Sequence, residues 1–210
     1  MKYRAEKNKQ IWDVPYLPID PTDVGRAYEA DVIRINSQSG KGGIGYVMET
    51  QYGLILPPKM REVFGYHVKS ISDRAHRELM PDEVHSIFLK DFVNIETPVS
   101  IRNAVYTERD GGVLANMTIS IDGKSVSVNS EGNGRLDSVS NALKAALGID
   151  FVLESYTEHA TEEKSTAKAA SYVSISHGGK VFWGAGIDSD IIVSSVKALV
   201  SSFNLLISSK

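Results

Sequence analysis

The chain has 210 residues, 42% of them hydrophobic and 23% charged, with a formal net charge of −3; that is enough for one large or two small domains. So small a net charge gives no general pull toward nucleic acid or an anionic membrane. With no cysteine, disulfides, thiolate catalysis and cysteine-based zinc sites are excluded. No apolar run reads as long enough to span a bilayer, and the start of the chain lacks the apolar core of a signal peptide, so a cytoplasmic protein is expected.

In chain order, residues 1–23 begin polar and continue as Trp12-Asp-Val-Pro-Tyr-Leu-Pro-Ile-Asp-Pro21. Each proline removes a backbone donor and restricts its predecessor, which blocks helix and central strand alike. An extended arm or linker is expected here. Residues 24–92 read as a small α+β linker subdomain. Ala27 to Asn36 alternates in the manner of a strand and Gly45 to Thr50 supplies a second, with Ser37-Gln-Ser-Gly-Lys-Gly-Gly43 between them. Pro57 to Leu79 carries Met60, Val63, Phe64, Val68 and Ile71 at helical spacing behind two prolines. Pro81-Asp-Glu83 opens a second helix with Val84, Ile87, Phe88 and Phe92 apolar, the acidic residues suiting its N-terminal end.

Residues 93–210 read as a pseudo-symmetric βββα–βββα domain. Strands are expected over Val99 to Glu108, Val113 to Ile121 and Lys124 to Ser130, then a helix over residues 136–147. The order repeats with strands over Phe151 to His159 and Ala167 to His177, and with Lys180 to Trp183 leading to a helix from Ile191 to Leu206. Asp122-Gly123 is a two-residue hairpin signal. This is a duplication with a period of roughly fifty residues, and runs of strands closed by a helix predict antiparallel sheets in an α+β fold. In both halves a strand is expected to pass through a Gly-x-Gly turn into its helix, at Gly132-Asn-Gly134 and at Gly184-Ala-Gly186.

Those turns are the candidate site, because the other motifs fail. The Walker pattern requires a glycine where Ile35 stands and a Ser or Thr where Gly42 stands. His67, His76, His85, His159 and His177 form no pair at metal-ligand spacing; His67 and His76 are expected on helix surfaces and His159 at a strand end. No nucleophile elbow occurs. A glycine turn that opens a helix, by contrast, leaves backbone N–H groups for a carboxylate. Ala160, Ala167 and Ala169 leave room for an aliphatic group. An amino acid fits both.

The stretches Trp12 to Arg26 and Val32 to Gly43 resemble α-isopropylmalate synthases of the actinobacterial and fungal type. So do Gly132-Asn-Gly134, Tyr156-Thr-Glu-His-Ala160, Ala167-Lys-Ala-Ala-Ser-Tyr172 and Trp183-Gly-Ala-Gly-Ile187. The resemblance implies a leucine-biosynthesis enzyme that condenses acetyl-CoA with 3-methyl-2-oxobutanoate. It uses a divalent metal in an N-terminal TIM barrel, followed by linker subdomains and a C-terminal domain that binds leucine as feedback inhibitor and dimerises. No counterpart of the barrel or its metal-binding histidines is found in these 210 residues. The resemblance therefore implies the arm (1–23), linker subdomain (24–92) and allosteric domain (93–210) of such an enzyme, truncated, without a cofactor of its own and inactive alone.

Carried over by motif, the leucine pocket comprises Gly132, Gly134 and Leu136, then Leu153, Tyr156 and Ala160, then Ala167 and Ala169, and Ile191. Tyr16 matches a tyrosine that reaches toward a partner subunit's active site. The expected partners are L-leucine, a second copy of the chain and the catalytic barrel, with no nucleic acid or membrane. Two other readings are a citramalate synthase-like regulator that senses isoleucine and a module that only dimerises.

Overall fold

The computed structural model describes residues 21–25 and 41–209. Tyr16, the strand expected over Ala27 to Asn36, most of the proline-rich arm and the first part of the Ser37–Gly43 loop lie outside them. The chain divides into two compact units, Met1–Ile33 and Arg34–Lys210. In the first, Pro21–Val24 form a 3-10 helix.

The second unit begins with three helices, α1 (Lys41–Tyr52), α2 (Pro58–Ala75) and α3 (Pro81–Phe92). The first overturns the strand expected over Gly45 to Thr50. Ile44, Val47 and Met48 are buried at helical spacing, and packing against α2 and α3 outweighs the poor helix propensity of Gly42, Gly43 and Gly45. Gly45 marks the close approach, since a Cβ there would lie 2.5 Å from Arg61 Nε. Helices α2 and α3 fall where the spacing predicts. Phe64 meets Phe88 and Phe92 edge-on, with ring centroids 5.0 and 5.7 Å apart, a favoured aromatic geometry. Helix α2 stops short of Leu79 because His76 turns left-handed at φ 51°.

The start of α3 carries a pH-sensitive cap. The Glu83 carboxylate accepts from Arg77 Nη1 and Nη2 (2.9 and 2.5 Å) and from the Met80 N–H (2.9 Å). The Arg77 hydrogen bonds first, and the Met80 amide next, pull its pKa down from 4.5 to about 2. A depressed carboxylate stabilises the fold above its ordinary pKa, and this stabilisation is lost as pH falls through the folded value. Glu83→Gln is therefore expected to flatten the stability–pH curve between 4.5 and about 2 in acid unfolding followed by circular dichroism. An unchanged acid limb would contradict the cap.

Eight further elements form two like halves. The first is β1 (Val99–Arg109), β2 (Gly112–Ile121), β3 (Lys124–Gly132) and α4 (Arg135–Leu147). The second is β4 (Val152–Ala160), β5 (Ala169–His177), β6 (Lys180–Asp188) and α5 (Ile191–Ser208). Each trio of strands is an antiparallel sheet in sequence order. This is the α+β, βββα–βββα architecture read from the sequence. Asp122 and Gly123, at φ 48° and 81°, make the expected two-residue turn. Helix α4 packs on β2 and β3, and α5 on β5 and β6. Met117 and Ile119, Val139 and Leu143, Val173 and Ile175, and Leu199 and Phe203 join one core across both halves.

The second Gly-x-Gly turn is a different object from the one expected. Strand β6 runs on to Asp188, so Gly184 and Gly186 sit inside it. Cβ atoms on them would collide with the α5 backbone, at Ser202 N and Ala198 O for Gly184 and at Ser194 O for Gly186. Glycine in a strand here marks close backbone approach. The counterpart of Gly132-Asn-Gly134 is Asp188-Ser189-Asp190, the link from β6 to α5.

Helix α5 also corrects the expectation that no apolar run is long enough to span a bilayer. Its 18 residues, at mean hydropathy 1.7, pass by length and composition alone. Here it is a core helix, with Ala198, Leu199, Phe203 and Leu206 buried.

The segment between α3 and β1 closes the free edge of β6. Val93 bridges Ala185 in parallel. The Asn94 amide exchanges two hydrogen bonds with the Ile187 backbone (3.1 and 3.0 Å), standing in for a ladder pair. Asn204, fully buried on α5, accepts from Val99 N–H (2.9 Å) and donates to the carbonyls of Ile95 (2.8 Å) and Val99 (2.7 Å).

Candidate functional site

The residues singled out in the sequence fall into two groups on different sheets. Gly132, Gly134 and Leu136 surround the start of α4. Gly132 ends β3 opposite Val113, and a Cβ there would lie 2.7 Å from the Asp137 carbonyl carbon, so the tight entry to the helix requires glycine. Gly134 differs. Its φ of −159° is open to any residue, and a Cβ would meet nothing within 4 Å. Leu136 is half-buried and packs on the core. Gly132 lines a polar cleft of about 560 Å³ with Arg109, Asp137 and Asn141.

The two helix starts are not equivalent. Gly134 caps α4 without any side-chain hydrogen bond, whereas Asp190 Oδ1 already accepts from Ile192 N (2.7 Å) and Val193 N (3.1 Å) at α5. At α4 the Asp137 carboxylate takes the Asn133 N–H at 2.8 Å, and only the amides beyond Asn133 are without a side-chain cap. Of the two anion sites expected from duplication, the one at α5 is already filled by Asp190.

The second group gathers on the α5 side of the β4–β5–β6 sheet. Ala160 pairs with Ala169, and Ala169 pairs with Asp188. The Tyr156 hydroxyl meets Ser195 Oγ at 2.8 Å and also donates to Glu158. Ser195 Oγ donates to the Ile191 carbonyl (2.6 Å). Tyr156, Ala160, Ala169 and Ile191 thus share one end of this sheet, and Ala167 enters it just before β5. Leu153 lies across the β4 bulge, paired with Ile175 and packed on the core.

Behind Tyr156 runs a chain of hydroxyls that sequence reading missed. Ser171 Oγ contacts Ser194 Oγ at 2.7 Å and Ser195 Oγ at 3.3 Å, all buried. Two buried serines of α5 facing one of β5 would have been the only signal, and it needs the register. Burial, then the Glu158 carboxylate, raises the Tyr156 pKa, which keeps the phenol protonated as a donor. Lys197 is paired with Asp188 at 2.8 Å, so it is already matched to a carboxylate.

The histidines also find definite roles. His67 Nε2 lies 2.6 Å from Asp91 Oδ2 and ties α2 to α3, so it is more than a surface residue. His76 is the exposed cap already described. Among the described residues no group of three or more His, Asp or Glu is placed to hold a metal ion.

Residues 78–207 match the family described as "LeuA allosteric (dimerisation) domain", and residues 1–49 match "Alpha-isopropylmalate synthase, post-catalytic domain-like". A protein named 2-isopropylmalate synthase from Desulfitobacterium hafniense is 50% identical over 99% of this chain and 37% of its own length. One of the same name from Helicobacter hepaticus is 48% identical over 99% of this chain and 38% of its own. One from Mycobacterium ulcerans is 38% identical over 95% and 36%. The chain therefore spans little more than a third of the length of these relatives.

Proposed function

Since the chain belongs to the LeuA allosteric (dimerisation) domain family, we propose that it is the regulatory and dimerising region of a 2-isopropylmalate synthase and that it binds L-leucine. On this reading leucine, the end product, inhibits the condensation of acetyl-CoA with 3-methyl-2-oxobutanoate by a catalytic barrel acting with this region in the cytoplasm. The region itself is a sensor and carries no reaction of its own.

The family match over residues 78–207 carries this reading, and two separate sets of groups, one on each sheet, support it. The α4 start, left without a side-chain cap at Gly134, offers amides to the carboxylate. The Tyr156–Glu158–Ser195 cluster offers acceptors to the ammonium group. The alanines at 160, 167 and 169, with Ile191, supply an apolar wall on the second half, while Leu136 and Leu153 pack on the core. The pairing of two copies is supported by the match of residues 78–207 to the LeuA allosteric (dimerisation) domain.

Gly134→Val tests the site without breaking the fold, because the added side chain meets open space in an ordinary backbone conformation. It is expected to weaken leucine binding by at least about tenfold, the effect of losing one good contact, with little change in the unfolding midpoint. Unchanged affinity would place the leucine site away from this turn.

A further inference from the structure

We propose that His159 transmits occupancy of this amino-acid site to the α1–α2 segment, through the thickness of the β4–β5–β6 sheet; the inference rests on the leucine reading above. Successive strand residues face opposite ways. Tyr156, Glu158 and Ala160 face α5, where the Tyr156 hydroxyl finds Ser195. Thr157 and His159 face the other side, where the ring of His159 lies against Tyr172, with centroids 5.7 Å apart.

The ring is fully engaged. Its Nε2 receives the Ile55 backbone N–H at 3.1 Å and lies 3.1 Å from the Tyr172 hydroxyl. A backbone amide can only donate, so Nε2 is the acceptor and the proton sits on Nδ1. That nitrogen is 3.0 Å from the Ala160 carbonyl. One neutral imidazole thus joins a residue of the proposed pocket, Ala160, to a residue of the segment between α1 and α2, Ile55.

A second contact narrows the seam. Gly53, at φ 64°, lies so close to the Thr161 carbonyl that a Cβ would collide with it. The α1–α2 segment is therefore held on the end of β4 at both Ile55 and Gly53. A cleft of about 290 Å³ lined by Tyr52, His85 and Glu162 adjoins it. A shift of β4 between Tyr156 and Ala160 on ligand binding displaces Nε2 from Ile55. Packed side chains and hydrogen-bond networks carry coupling of this sort, and from Ala160 to Ile55 both links are hydrogen bonds of 3.0 and 3.1 Å through His159.

The test is hydrogen exchange at the Ile55 amide, with and without leucine, beside calorimetric leucine titration of the same 210-residue chain. In the wild type, leucine is expected to change Ile55 exchange by about tenfold, within the usual range of coupling between sites. His159→Leu removes the acceptor. It is expected to bind leucine within about threefold of wild type while the Ile55 response disappears, and His159→Gln, which keeps an acceptor, is expected to restore part of it.

A response that persists in His159→Leu overturns the proposal. So does wild-type leucine heat with an unresponsive Ile55, whether or not the variants fold, and that result leaves the leucine site intact. Absence of leucine heat overturns the site and the coupling together.

Discussion

Asn204→Leu is expected to lower the unfolding free energy by roughly 3–6 kcal/mol, because it strands both buried backbone groups of Val99 and the half-buried Ile95 carbonyl at once. The Val99 N–H and the carbonyls of Ile95 and Val99 have the Asn204 amide as their partner at 2.7–2.9 Å. Leucine has nearly the same shape and replaces none of these bonds. The loss is a large share of the 5–15 kcal/mol typical of a domain. Urea unfolding followed by circular dichroism measures it. Asn204→Asp keeps an acceptor for Val99 N–H but turns a buried carboxylate oxygen toward the Ile95 and Val99 carbonyls, so it is expected to cost at least as much as Asn204→Leu. A loss below about 1 kcal/mol for Asn204→Leu, the net worth of a single hydrogen bond, would contradict the clamp.

Gly186→Ala is the second large effect. One methyl group at this point in β6 enters the space of the Ser194 carbonyl and comes 2.7 Å from Ala198 N. Both obstacles are backbone, so relief requires α5 to lift from the sheet. Overpacking of this kind costs about 1–3 kcal/mol and occasionally more, and a rigid helix puts it at about 3 kcal/mol or above. The contrast with Gly134→Val is instructive: a larger side chain, at a glycine beside the other helix, should leave stability almost untouched. Equal destabilisation by the two would refute the packing argument.

These two glycine sites show how far sequence reaches. The pattern of strands and helices from Val99 onward is legible because alternation and turn chemistry agree, as at Asp122-Gly123. The Gly-x-Gly sequences look alike on paper, yet one is the entry to α4 and the other lies under α5. Only the packing of α5 distinguishes them, and no local pattern records it. Helix α1 fails for a related reason. Its glycines argue against helix, and the burial of Ile44, Val47 and Met48 against α2 and α3 decides otherwise.

The candidate site was legible in part. The small residues of β4 and β5 and the Gly132–Gly134 turn carry a signal in their motifs. The hydroxyl chain behind Tyr156 and the double role of His159 depend on strand register and on Ile55, more than a hundred residues away in sequence. The capped start of α5 was equally hidden, since Asp190 reads as a plain polar link until its oxygen is seen to accept the Ile192 amide.

The most direct test of the central claim is calorimetric titration of the purified chain with L-leucine, L-isoleucine and L-valine in parallel. The expected result is saturable heat with leucine, weaker heat with the other two, and loss of the leucine signal in Gly134→Val while the protein stays folded. No heat with any of the three would contradict a leucine sensor, and a preference for isoleucine would reassign the site to another branched-chain end product.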